Sequence, residues 1–408
     1  MYELLSKLYY KDPGTYSFEF ERRINSYGTI KLPFSIKPFK SNEEFSCFYV
    51  NHAKLDLMHD QILHQSRRIR LIADQLPEIA IDQYIRAKLI DELLSTNEIE
   101  GVRSTKAEME IVLEVVIRNE NSKKKNVRHF SLMKSYVSLL SEKHSFLTSV
   151  EQVREIYDHL VRQEMKAEDH LDGKVFRKQP VDVVTATGKV IHKGVYPESS
   201  IYNYLKHMIE YLNEHPTPML YKIAISHYLF GYIHPFYDGN GRTSRYISSM
   251  YLLSELDRLT ALTLSYSTNK HRNLYYDAFS ESNHPHNQGE LTFFCEAFFE
   301  IIHKAQNDIL VELSEKQIKI KQLEQLISVL PIEDEICSKI LFYLGQNYIF
   351  GISGKGLLKK ELEAISGDSS YVISKAVEVL KDRSLIEVLR KRPLEITLSG
   401  SLRATLED

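Results

Sequence analysis

The chain has 408 residues, and its 52 Lys and Arg against 55 Asp and Glu give a formal net charge of −3. At about 150 residues per domain this length suggests two or three domains. So near-neutral a charge excludes a bulk polyanion binder and leaves any nucleic-acid contact to a local patch. Hydrophobic residues make up 43% and charged residues 26%, as in a soluble globular protein rather than a disordered one. Cys47, Cys295 and Cys337 are far apart and form no CxxC pair. A zinc ribbon or a disulfide framework is therefore not expected, and a reducing compartment is. There is no basic-then-apolar leader and no run approaching the ~20 apolar residues of a membrane span. The expectation is a cytoplasmic protein with no membrane partner.

In chain order, residues 1–50 read as irregular with short strands, because Pro13, Gly14, Gly28, Pro33 and Pro38 punctuate aromatic runs. A helical pattern begins near Asn51, and a second helix runs from about Asp82 with Ile85, Leu89, Leu93 and Leu94 on one face. Gly101 is positioned to end that stretch as a C-cap. Lys123, Lys124 and Lys125 read as a solvated loop. Helices are expected around 129–141 and 150–164. The period then changes: Val181–Val184 and Lys189–His192 read as a strand pair around the Thr185–Gly188 turn. Helices resume at 198–213, 219–232, 246–253, 271–280 and 290–328.

Residues 234–245 read His-Pro-Phe-Tyr-Asp-Gly-Asn-Gly-Arg-Thr-Ser-Arg. Gly239, Asn240 and Gly241 entering a helix offer backbone amides in a concave nest at its positive end, which is an anion site. Arg242 and Arg245 share a helix face and can each fork onto phosphate oxygens. Asp238 beside such a nest would be repelled by phosphate unless a cation bridged them, and Mg²⁺ held by one carboxylate and substrate phosphates meets that need. His234 can take a proton from an incoming hydroxyl at neutral pH. Together these residues imply phosphoryl or nucleotidyl transfer. GxxxxGK[ST], GxGxxG and HExxH are all absent.

This segment resembles the signature of the Fic family, HPFxDGNGRxxR, at every specified position. The resemblance implies a mainly α fold, a Fic-type helical core with a small β-hairpin flap, and a protein adenylyltransferase. Such an enzyme moves AMP from Mg·ATP to a Ser, Thr or Tyr hydroxyl of a target protein, or of itself. It implies His234 as general base, Asp238 as Mg²⁺ ligand, and Gly239, Asn240 and Gly241 as the nest for the α- and β-phosphates. Arg242 and Arg245 would clamp the β- and γ-phosphates, with Thr243 and Ser244 in the same ATP-binding stretch. Tyr275, Tyr276 and Asn283 resemble the family's adenosine pocket, and the hairpin near 181–193 falls where the family has its target-binding flap. The family's inhibitory motif, [S/T]xxxE[G/N], is met by Thr96, Glu100 and Gly101. Glu100 on Arg245 would occupy the γ-phosphate clamp; Glu98 and Glu92 are nearby competitors without Gly or Asn next.

From Ile336 the order is helix, helix, helix and hairpin, a winged helix-turn-helix pattern with a basic tip at Arg390, Lys391 and Arg392. This stretch carries 11 Lys and Arg against 9 Asp and Glu, mild for a DNA reader. Three regions are expected: 1–120 with the inhibitory helix, 121–328 as the catalytic core, and 329–408 as the winged-helix-like domain. The leading reading is an adenylyltransferase autoinhibited by Glu100. Alternatives are a DNA-binding regulator using the pocket as a nucleotide sensor, and a bifunctional enzyme that also removes AMP. A homodimer is left open.

Overall fold

The computed structural model of the chain describes residues 2–117, 128–141, 146–161, 165, 170–184 and 188–407. Lys123–Lys125 and residues 185–187 of the expected hairpin turn lie outside the described residues. In chain order the elements are α1 (Leu5–Lys11), α2 (Pro13–Ile24), β1 (Thr29–Ile36), β2 (Phe45–Val50), α3 (Ala53–Asp74), α4 (Glu78–Ile99), α5 (Lys106–Ile117), α6 (Phe130–Ser141) and α7 (Val150–Leu160). Then come β3 (Asp182–Val184), β4 (Val190–Lys193), α8 (Glu198–Glu214), α9 (Met219–Ile233), α10 (Asn240–Glu255), α11 (Arg258–Ala261), α12 (Leu264–Lys270), α13 (Arg272–Ser282) and α14 (Thr292–Val329). The last are α15 (Glu335–Phe350), β5 (Leu357–Leu358), α16 (Lys359–Ser366), α17 (Ser370–Asp382), β6 (Ile386–Lys391), β7 (Leu394–Leu398) and α18 (Gly400–Thr405). The fold is mainly helical with small antiparallel sheets. Among the described residues no helix is long and apolar enough to cross a membrane.

Two compact units are present: residues 1–67 with 90–306, and residues 68–89 with 307–408. In the first unit α9 is apolar on all sides and buried along almost its whole length, so it forms the centre of the core. α8 and α10 pack against it. β1 and β2 pair antiparallel, Thr29 opposite Val50. All three cysteines are free and buried.

Residues 5–24 correct the sequence expectation, for apart from Asp12 they are helical rather than irregular. Pro13 and Gly14 begin a helix instead of breaking one. Asp12 is the N-cap, its carboxylate accepting from the amides of Gly14 and Thr15, and a proline in the first turn gives up no intrahelical bond. α2 is tied down by Arg23, whose Nη1 donates to Glu290 Oε2 at 2.8 Å, both groups being buried. The Tyr2 hydroxyl donates to the other Glu290 oxygen at 2.5 Å.

In the second unit the order after α15 is strand, helix, helix, hairpin. The sheet runs β5–β7–β6, all antiparallel. Cys337, Ile340, Leu344, Leu362, Ile373, Leu380 and Ile396 are among its buried residues. The strand β5, Leu357–Leu358, is an element the sequence reading absorbed into the following helix, since two residues carry no readable period.

Candidate active site

α9 ends at His234, which takes a left-handed conformation, φ 52° and ψ 62°. That region is sparsely populated by residues other than glycine. The His234 amide donates to the Phe230 carbonyl at 2.9 Å. Burial lowers its pKa to about 3, with His192 and the Arg177 cation working in the same direction. The imidazole is thus neutral at physiological pH and able to accept a proton.

The loop between α9 and α10 is closed by Asn240. Its Oδ1 accepts from the Phe236 amide at 2.9 Å and its Nδ2 donates to the Phe236 carbonyl at 2.8 Å. The residue predicted to contribute to the nest is therefore the one that shapes it. Gly239 has φ 77°, and a Cβ there would also fall 2.9 Å from Val161 Cγ2. A substitution at Gly239 would be strained twice over. The first α-helical bond of α10 runs from the Thr243 amide to the Gly239 carbonyl, 3.0 Å. The amides of Gly241 and Arg242 thus stand at the helix's N-terminal end, where backbone and dipole favour an anion.

The two arginines of that turn are both buried. Arg242 Nη2 lies 3.1 Å from Asp238 Oδ2, and the Asp238 side chain is 45% exposed. Arg245 Nη2 donates to Glu100 Oε1 at 2.7 Å and to the Thr96 carbonyl at 3.2 Å, while its Nε donates to Thr96 Oγ1 at 3.1 Å. Burial works against the Arg245 charge, but the Glu100 carboxylate, together with Tyr275 and Tyr136, raises its pKa. A Cβ added at Gly241 would fall 2.1 Å from Glu100 Oε1. The carboxylate therefore sits on Arg245 and against the first turn of α10 at once. Gly101 follows with φ 70°.

The competing glutamates go elsewhere. Glu92 is fully buried, its oxygens accepting from the Ser265 and Tyr266 amides at 2.8 and 3.0 Å in the first turn of α12. Burial raises its pKa, against those hydrogen bonds. Glu98 pairs with Arg272 at 2.9 Å and accepts from Asn269 at 2.9 Å. Glu92 and Thr96 on α4 and Glu100 just past its end are four apart, along one stripe. That stripe meets α12 at one end and α10 at the other. The role of Glu92 as a helix cap was not legible, because its partners are backbone amides 173 and 174 residues away.

Thr243 and Ser244 turn their hydroxyls inward. Thr243 Oγ1 donates to the Gly239 carbonyl at 2.9 Å, and Ser244 Oγ is 3.1 Å from His227 Nδ1. His227 is fully buried, 2.8 Å from Ser248 Oγ and 2.8 Å from the Tyr275 hydroxyl, and burial lowers its pKa to about 3. Tyr275 is thus drawn into the core. Tyr276 is the exposed ring of the pair, 48% accessible. Asn283 caps α13 and accepts from the Tyr228 hydroxyl at 2.7 Å.

β3 and β4 pair antiparallel, Val183 opposite His192. His192 is buried, with Nε2 2.7 Å from the Tyr232 carbonyl. The base of the hairpin is joined to the end of α9 by a residue the sequence reading passed over. Arg177 is fully buried and donates to the carbonyls of His234, Gln179 and Val195 at 2.9, 2.7 and 2.8 Å. Nothing in its immediate neighbourhood, Gly173-Lys-Val-Phe-Arg177, marked it out, since the His234 and Val195 carbonyls it serves are distant in sequence.

Comparison with known proteins places this arrangement. Residues 147–252 match the model of the Fic/DOC family. A Fic family protein from Desulfovibrio desulfuricans G20 is similar in fold, with TM-score 0.52 and 17% identity over 86% of this chain and 98% of that one. A piece of Fic-1 from C. elegans is similar at 18% identity and TM-score 0.44, over 64% of this chain and 74% of that one. The stretch that matches the Fic/DOC family model, residues 147–252, holds His234, the Asn240-closed loop and both arginines.

Proposed function

We propose that this chain is a protein adenylyltransferase that carries AMP from ATP to a hydroxyl side chain of a protein, and that Glu100 holds it inactive. Fic proteins are in general nucleotidyl transferases, and they typically use ATP with a divalent metal. The observation that carries the reading for this chain is the Glu100 carboxylate seated on Arg245 and against Gly241. A carboxylate there marks the place as one built for an anion and keeps it from taking another.

In the reaction, the target hydroxyl gives its proton to the neutral His234 imidazole as its oxygen bonds to the α-phosphorus. The bond from that phosphorus to the bridging oxygen breaks, and pyrophosphate leaves. The end of α10, Arg242 and Arg245 stabilise the charge on the phosphates. Mg²⁺, when bound, neutralises phosphate charge and aids departure of the pyrophosphate. Among the described residues no group of three or more His, Cys, Asp or Glu could hold a metal alone. The half-exposed Asp238 carboxylate fits an ion held by one side chain, phosphate oxygens and water.

Incubating the protein with a lysate and ATP labelled on the α-phosphate tests the activity, a labelled protein band being the expected result. Asp238→Ala is expected to lose both transfer and its dependence on Mg²⁺, measured as initial rate against Mg²⁺ concentration. A variant that Mg²⁺ accelerates as much as wild type would remove Asp238 as the ligand.

A further inference from the structure

We infer that Arg177 is a positioning residue for the transfer step, fixing His234 against the base of the β3–β4 hairpin; this rests on the reading of His234 as the base.

Arg177 is a cation with no exposed surface, a situation that ordinarily calls for a carboxylate partner. Its hydrogen bonds go instead to main-chain carbonyls. Nε donates to His234 at 2.9 Å, Nη1 to Gln179 at 2.7 Å, and Nη2 to Val195 at 2.8 Å and Ile233 at 3.4 Å. One planar fork thus joins the chain before β3, the chain after β4 and the last two residues of the α9 end. Lys could not span these directions, because its ammonium is a point donor. Burial holds the Arg177 pKa down to about 10, so the group is still charged at neutral pH.

The His234 backbone needs such a hold. It is left-handed and is followed by proline, a combination that local sterics disfavour, and a conformation of this kind persists only where its surroundings impose it. The Val195 amide adds a bond to the Ile233 carbonyl at 3.0 Å. The packing leaves no slack: a Cβ at Gly194 would fall 2.5 Å from Arg177 Nη2 and 3.1 Å from His234 Cβ. The two ends of the hairpin and the backbone of His234 are therefore set by one guanidinium. None of its bonds reaches the nest or the Arg242 and Arg245 clamps, so nucleotide binding should not depend on it.

The test uses Arg177→Lys and Arg177→Gln in the full chain carrying Glu100→Gly, followed by transfer of α-labelled ATP and by equilibrium ATP binding. Both variants should lose kcat, by on the order of 10²-fold for a base displaced by about 1 Å, with ATP affinity unchanged. A pH profile adds a readout that a merely structural role would leave in place. The groups facing His234 are His192 from β4, held neutral by burial, and the Arg177 cation. Losing the positive charge raises the His234 pKa, so Arg177→Gln should move the acid limb of kcat to higher pH. Arg177→Lys, which keeps the charge, should not. If Arg177→Gln does not fold, the Lys variant's kcat against its ATP affinity decides. Unchanged kcat, or kcat and ATP affinity falling together, overturns the inference. A Glu100→Gly parent that transfers no AMP removes the underlying reading first, and the inference falls with it.

Discussion

His234→Ala, made in a Glu100→Gly background, should lose AMP transfer by about 10²–10⁴-fold, the usual contribution of a general base. ATP binding should be retained. His234 is neutral at physiological pH because burial, His192 and Arg177 disfavour its charged form. A lowered pKa has a definite sign: the imidazole stays unprotonated through the ordinary histidine value of about 6.5. The parent's rate should therefore hold on going from pH 7 to pH 6, where an unperturbed histidine base would already be failing. The nest is shaped by Asn240 and Phe236 rather than by the imidazole, so truncating the side chain leaves the phosphate site standing. Transfer rates with labelled ATP, together with equilibrium ATP binding, check both halves. A variant that transfers at the parent's rate would remove His234 from the chemistry.

Glu100→Gly should switch transfer on. The wild-type carboxylate pairs with a fully buried guanidinium at 2.7 Å and retains 18% exposure itself. A nucleotide whose terminal phosphate needs Arg245 must displace that pair or bind in another pose. A coupling of about 1–3 kcal/mol between the two corresponds to roughly 5–150-fold. Wild type should accordingly modify itself weakly and Glu100→Gly strongly. Adding Arg245→Ala should cancel the gain, because the released clamp is then missing. The fold should survive the first change, since α4 keeps its Glu92 cap on α12 and the Thr96 bonds to Arg245. If Glu100→Gly is no more active than wild type across a range of ATP concentrations, inhibition by Glu100 is ruled out.

What could be read in the sequence was what lies close in sequence. His234 to Arg245 is one turn and one helix end, so its spacing already fixes which groups share a face. The apolar periods placed α8, α9 and α14 to within two residues at either end. Two kinds of information were missing. Pro13 and Gly14 looked like breakers because a helix N-terminus and a turn use the same residue types, and only the Asp12 cap separates them. The long-range polar partners carried no local signal: Arg177 on His234, Glu92 on Ser265, and Ser244 on His227. The sequence also suggested a boundary near 329, where contacts group residues 307–329 and 68–89 with the C-terminal stretch; a continuous helical period across α14 gives no sign of that division.

The account is tested most directly by offering Glu100→Gly, in parallel, ATP labelled on the α-phosphate and ATP labelled on the γ-phosphate. Label should become bound to protein from the α-labelled nucleotide alone, at a rate well above wild type, and His234→Ala should abolish it. Protein labelled from the γ-phosphate and not from the α-phosphate would make the reaction phosphoryl transfer and contradict the account.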